Sequence, residues 1–164
     1  MSNISMTTSK RNAIVTVMLI SAFVSMLNQT ILNTALPAII KGLNITETTA
    51  QWLITGFMLV NGIMIPLTAF LMDKYSTRHL YIFSMAIFLI GSVVAAVSPT
   101  FSILMISRII QAIGAGILLP LMQFTVFTLF PAEQRGFAMG LAGVVVQSAP
   151  AIGPVSYTHL TLPT

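Results

Sequence analysis

The sequence predicts an all-α, polytopic membrane protein with five transmembrane helices, and three observations carry that reading. Of its 164 residues, 56% are hydrophobic and only 6% charged. Soluble domains carry about a quarter charged residues, so these few cannot cover a water-exposed surface. Several apolar runs approach the ~20 residues that a bilayer crossing requires. Only short polar connections separate them, leaving no room for an inserted soluble domain.

The apolar segments cover 13–36, 50–72, 80–97, 101–130 and 137–154. Residues 1–12 are polar and carry Lys10 and Arg11, as the basic start of a signal sequence does. The apolar run behind them continues to Pro37 without a small-residue cleavage site, so it reads as a retained first helix behind a cytoplasmic N-terminus. The fourth segment is long and holds Pro120, which can kink it. The tight connections make sequence neighbours antiparallel. With the N-terminus inside, Lys10, Arg11, Lys74, Arg78 and Arg135 fall on the inner side and Lys41 alone on the outer side. Positive-inside insertion predicts that asymmetry.

The fifth segment has the spacing Gly136 to Gly140, and the fourth a similar pair, Ala112 to Gly116. Both patterns permit close helix contact. Residues 155–164 have no apolar face and carry Pro163 near the end. They read as an irregular, non-native tail that cuts the fifth helix short.

The net charge of +4 is spread along the chain, without the clustered Lys/Arg and interleaved aromatics of a nucleic-acid site. Cysteine is absent, which excludes disulfides and thiolate metal sites. The three acids, Glu47, Asp73 and Glu133, all fall in connections. No carboxylate pair, nucleophile–histidine arrangement or metal-ligand cluster supports an enzyme, a metal or a cofactor.

Polar residues within the spans are the functional candidates, because the bilayer makes them costly. Arg108 sits ~10 Å below the outer end of the fourth segment at 1.5 Å per residue. An arginine near a helix centre costs about 2.5–3.5 kcal/mol on insertion scales. Asn28 lies ~13 Å below the outer end of the first segment by the same arithmetic. The two therefore share a depth in the outer half of the membrane, and Arg108 is expected to point into the bundle at the level of Asn28. Asparagine also serves as ordinary interhelical glue, so depth alone does not assign Asn28 a role.

Four stretches carry a resemblance to the fourteen-helix drug:proton antiporter branch of the major facilitator superfamily. In the first helix, residues 27–37 read LNQTILNTALP, similar to the branch's Leu-Asp-x-Thr-Ile-Val-Asn-Val-Ala-Leu-Pro with Asn28 in place of the aspartate. Residues 69–78, AFLMDKYSTR, resemble the superfamily's cytoplasmic Gly-x-Leu-Ala-Asp-Arg-x-Gly-Arg-Lys loop. Asp73, Lys74 and Arg78 survive there, while Ala69 and Ser76 replace the glycines and Thr77 a basic residue. In the fourth helix, residues 108–116, RIIQAIGAG, match Arg-x-x-Gln-Gly-x-Gly-x-Gly apart from Ala112. In the fifth, residues 143–154, GVVVQSAPAIGP, resemble the glycine–proline antiporter motif through Gly143, Pro150, Gly153 and Pro154.

The resemblance implies the N-terminal part of a major facilitator fold, a multi-pass protein of the plasma membrane that exchanges a small drug-like substrate for protons. It implies that Arg108, Asn28 and Gln111 form a polar, proton-coupling pathway and that Asp73, Lys74 and Arg78 gate. Gly114 and Gly116 would pack neighbouring helices. Five helices cannot enclose a central pathway, so the remaining helices of a full-length transporter are the expected partners, along with the lipid bilayer. Export of one dedicated metabolite, and a non-transporting membrane scaffold, are the alternatives.

Overall fold

The computed structural model describes the backbone of residues 8–161 and the side chains of residues 8–152. Five α-helices follow one another: α1 (Thr8–Leu43), α2 (Glu47–Lys74), α3 (Thr77–Ala96), α4 (Phe101–Leu129) and α5 (Ala132–Thr161). Among the described residues, α1 to α4 are long and apolar enough to cross a membrane. α5 carries Glu133, Arg135 and Gln147. The all-α, multi-pass class expected from the sequence is the one observed.

Four of the five helices run longer than their apolar segments, while α4 stops at Leu129, one residue short, because a helix ends where its backbone finds another partner rather than where hydropathy falls. α1 passes through Pro37 and stops at Leu43. A proline removes one backbone donor, a loss that helices in membranes tolerate when neighbours support them. The stop comes instead at Asn44, whose φ of 51° is left-handed, a conformation asparagine accepts more readily than most residues. Thr46 then caps α2, its side chain accepting from the backbone N–H of Thr49 at 3.2 Å. Thr100 caps α4 in the same way through Ile103 at 3.5 Å. Such caps satisfy donors that the first helical turn leaves open.

Two expectations require correction. The stretch expected to be irregular after Pro154 is helical as far as Thr161. No proline interrupts 155–161, and a weak apolar pattern does not prevent backbone hydrogen bonds from propagating along a helix already begun. Residues 162–164 lie outside the described region, as do residues 1–7 of the expected N-terminal segment. The second correction concerns Gly136 and Gly140. A Cβ built at either would meet no atom within 4 Å, so among the described residues this glycine pair does not sit in a helix contact.

Three buried clusters show the alternating course of the chain. Near one end Leu36 of α1 meets Ala50 and Leu53 at the start of α2 and Leu104 at the start of α4, with Ala95 of α3 against them. At the other end Val15 of α1 packs with Val126 of α4 and Ala138 of α5. Met18, Ala22, Met64, Leu80, Ile117, Leu121 and Ala142 fill the space between. Elements adjacent in sequence thus run in opposite directions, as the positive-inside assignment requires.

α4 is the central mast. It packs most extensively on α3 and then on α2, while α1 lies chiefly against α5. Close approach of α3 and α4 depends on glycine: a Cβ on Gly114 would come within 2.6 Å of the Ser84 carbonyl oxygen and 2.9 Å of the Phe88 backbone nitrogen. Backbone cannot give way as a flexible side chain can, so Gly114 sets this helix separation.

Candidate functional site

Arg108 lies near the start of α4 and is only 1% exposed, and Gln111, one turn on, is likewise 1% exposed. Helical spacing places these two on one face. Arg108 Nη1 donates to Gln111 Oε1 at 2.7 Å and across to Asn28 Oδ1 of α1 at 3.2 Å. Guanidinium has no acceptor, so Gln111 must offer its oxygen to Arg108 and its amide nitrogen elsewhere. That nitrogen donates to Ser92 Oγ of α3 at 3.0 Å, and Ser92 Oγ donates to the Phe88 carbonyl at 2.8 Å. The result is a directional chain of donors from α4 to α3, with a branch to α1.

From α2, the Phe57 ring supports the charge. The Arg108 guanidinium carbon lies 4.4 Å from the ring centroid, and Phe57 itself is 2% exposed. A desolvated cation–π contact of this kind contributes about 2 kcal/mol, close to the insertion cost of an arginine at depth. The balance leaves Arg108 Nε and Nη2 without a hydrogen-bond partner among the described residues. Three of the five N–H bonds of the fork are therefore unspent, since Nε carries one and Nη2 two.

Four helices position this cluster, and a glycine admits one member. A Cβ on Gly91 of α3 would come within 2.8 Å of both Gln111 Cγ and the Gln111 backbone nitrogen. Asn28, Ser92 and Gln111 also line a cavity of about 540 Å³, whose walls are largely apolar and include Leu32, Leu43 and Leu104.

The other candidates fall elsewhere. Asp73 and Lys74 end α2, and Arg78 sits in the first turn of α3. Lys74 Nζ lies 4.4 Å from the Phe70 ring centroid, and Ser76 pairs with His79 Nδ1 at 2.6 Å. Among the described residues no ion pair joins Asp73 to Lys74 or Arg78. Gly116 packs against α2, where an added Cβ would lie 2.9 Å from Asn61 Oδ1. A Cβ on Gly143 would meet nothing within 4 Å. Pro150 lies within α5, and Gly153 and Pro154 lie where only the backbone is described. No group of three or more His, Asp or Glu side chains capable of holding a metal ion occurs among the described residues.

Depth arithmetic on the sequence brought Arg108 and Asn28 to one level, and the family resemblance added Gln111, but neither marked Phe57, Ser92 or Gly91. Phe57 is one of ten phenylalanines, and nothing in its local spacing marks it. Counting helical turns down from both ends of α2 would have put it near the depth of Arg108.

The described helices form a multi-pass bundle with a buried arginine held by two amides and a ring. The Major Facilitator Superfamily family model matches residues 18–161, and the chain belongs to that superfamily. It is 55% identical over 144 residues to the uncharacterized MFS-type transporter YcnB of Bacillus subtilis, which covers 88% of this chain and 30% of that protein. It is 45% identical over 137 residues to the lincomycin resistance protein LmrB of the same organism, covering 84% of this chain and 29% of the relative. The riboflavin transporter RibZ of Clostridioides difficile is 37% identical over 148 residues, or 88% of this chain and 32% of its own. The chain thus spans about 30% of the length of the curated relatives it matches.

Proposed function

We propose that this chain forms the N-terminal part of a proton-coupled exporter of drugs or other small amphipathic compounds, set in the plasma membrane with its N-terminus in the cytoplasm. The observation that carries the reading is the guanidinium of Arg108, buried in the bundle with Nε and Nη2 unpartnered. A buried cation with unsatisfied donors is stable only if a further acceptor reaches it. No carboxylate lies inside a span of this segment, so the remaining helices of the full-length transporter supply the acceptor.

A carboxylate there would take both free donors of the fork when ionised, a bidentate arrangement for which arginine is suited. On protonation its hold on the fork weakens and the helices carrying the two groups separate. Alternating access by rocking of two bundles needs a contact of this kind, made in one state and released in the other. Asn28 and Gln111 hold Nη1 in place throughout, so that the free edge keeps its direction. Asp73, Lys74 and Arg78 form the cytoplasmic gate, and the resistance phenotype in the name of one relative favours export of toxic compounds.

The test is transport into proteoliposomes containing a full-length transporter that carries this segment. The native protein should move substrate when a pH gradient is imposed, and Arg108→Ala should lose that response at equal expression. Normal gradient-driven movement by Arg108→Ala would overturn the coupling role. The riboflavin relative supports a second reading, transport of one dedicated metabolite. Narrow transport of a single compound in the same assay would favour it.

A further inference from the structure

α1 and α2 touch one another only slightly, while both rest on α4. The seam between them holds an enclosed cavity of about 30 Å³. Ser25 and Gln29, one turn apart on α1, form part of its wall, as do Phe57 and Asn61, one turn apart on α2, and Leu118 of α4. Residues four apart share a helix face, so one hydroxyl and two amides border the same small space.

Asn61 Oδ1 is buried and accepts no hydrogen bond from any described residue. Folded proteins rarely leave a buried acceptor unmet. Gly116 brings α4 close to this atom, since a Cβ there would lie 2.9 Å from it, yet a glycine offers no side-chain donor. Ser25 is 8% exposed, and neither its side chain nor that of Gln29 forms a hydrogen bond with another described residue. Three polar groups on two helices therefore share one want.

We propose that this junction is a hydration site, in which ordered water ties α1 to α2 through Ser25, Gln29 and Asn61 and seals the seam over α4. Each water needs about 10–15 Å³ of such space, so roughly one or two are held. Size excludes an organic ligand, whose sites begin near about 300 Å³. Charge excludes ions. Phe57 also carries the Arg108 guanidinium, 4.4 Å from its ring centroid, so a cation would meet positive potential with no carboxylate in the wall to offset it. An anion would meet the unshared acceptor of Asn61. Water both donates and accepts, so it can give a proton to Asn61 Oδ1 and receive one from the Ser25 hydroxyl or the Gln29 amide. A bridge of this kind is nearly as favourable as a direct hydrogen bond. The site holds a helix seam together and does not depend on what the protein transports.

X-ray radiolysis of the full-length transporter in lipid nanodiscs, read by mass spectrometry, tests the assignment, because hydroxyl radicals form from the bound water itself. Leu118 is 2% exposed, and Leu53 and Leu121 are 0% exposed. Leu118 should be oxidised well above both. Oxygen-18 water added just before the pulse should enter the Leu118 product more slowly than products at the protein surface, as enclosed water exchanges slowly. Ser25→Val removes the hydroxyl and fills the space, and Asn61→Leu removes the acceptor. Each should bring Leu118 oxidation down to the level of Leu53. Native Leu118 oxidation no greater than that of Leu53 overturns the proposal without recourse to any variant. So does unchanged oxidation in a folded Ser25→Val protein. Replacing sodium with N-methylglucamine should alter nothing, and a sodium-dependent change at Leu118 would assign the space to an ion and overturn the hydration site.

Discussion

Phe57 lies beneath Arg108, with the guanidinium carbon 4.4 Å from the centre of the ring, and joins α2 to α4 at the most deeply buried charge of the bundle. A double-mutant cycle isolates this contact. Phe57→Leu, Arg108→Met and the double variant, compared by thermal unfolding in detergent, should give a coupling energy of about 0.5–2 kcal/mol. Additive effects of the two single changes would mean that the ring fills space without holding the charge.

Asn28 accepts from Arg108 but cannot neutralise it. Asn28→Asp places a carboxylate at 3.2 Å or closer from Nη1, so the expected outcome is a folded variant with a higher thermal midpoint at neutral pH. Hydrogen bonds to charged partners contribute about 1.5–3 kcal/mol, above the neutral range. The variant should also move the pH dependence of transport, since the new ion pair competes with any carboxylate from the remaining helices. Loss of expression, or a pH profile identical to the native one, would contradict the pairing.

Gly114 and Gly140 should answer alanine substitution with opposite signs. Gly114→Ala drives a methyl into the Ser84 carbonyl and the Phe88 backbone, and overpacking of this order costs about 1–3 kcal/mol. Gly140→Ala meets open space and relieves the entropy penalty of a mid-helix glycine, about 0.5–1 kcal/mol. Thermal midpoints of the two variants, measured side by side, distinguish a helix contact from a mere spacing of small residues.

At the turn between α2 and α3, Asp73→Asn removes the one acid without changing size. In a full-length transporter it should slow export at unchanged membrane expression, if the proposed gate uses a charge that pairs in one conformation. Export at the native rate, with expression matched by immunoblot, would reduce the loop to a determinant of orientation.

Hydropathy made the bundle legible because lipid imposes a length and a polarity on each crossing. Depth arithmetic also brought Arg108 and Asn28 together, since rise per residue is nearly constant along a helix. Azimuth is a different quantity. Which residue of α2 or α3 faces Arg108 depends on helix rotation, and Phe57 and Ser92 carry no mark of it in their neighbours. Helix ends were also misjudged at Pro37 and Pro154, because proline removes only one backbone bond, whereas the stop after α1 required the left-handed Asn44. The spacing of Gly136 and Gly140 suggested a contact that α5 does not make with the other described helices.

The position of α4 as the shared support has a consequence for the order of synthesis. α2 and α3 scarcely touch one another, and both rest mainly on α4. When the third crossing leaves the ribosome, the first three have no common partner and must wait side by side in lipid. Asn28 precedes Arg108 by 80 residues, an interval of roughly 4–16 s at the usual 5–20 residues per second of translation. For that time its amide has no guanidinium to meet. Arrival of the fourth crossing then gives α2 and α3 their main support and Asn28 its guanidinium.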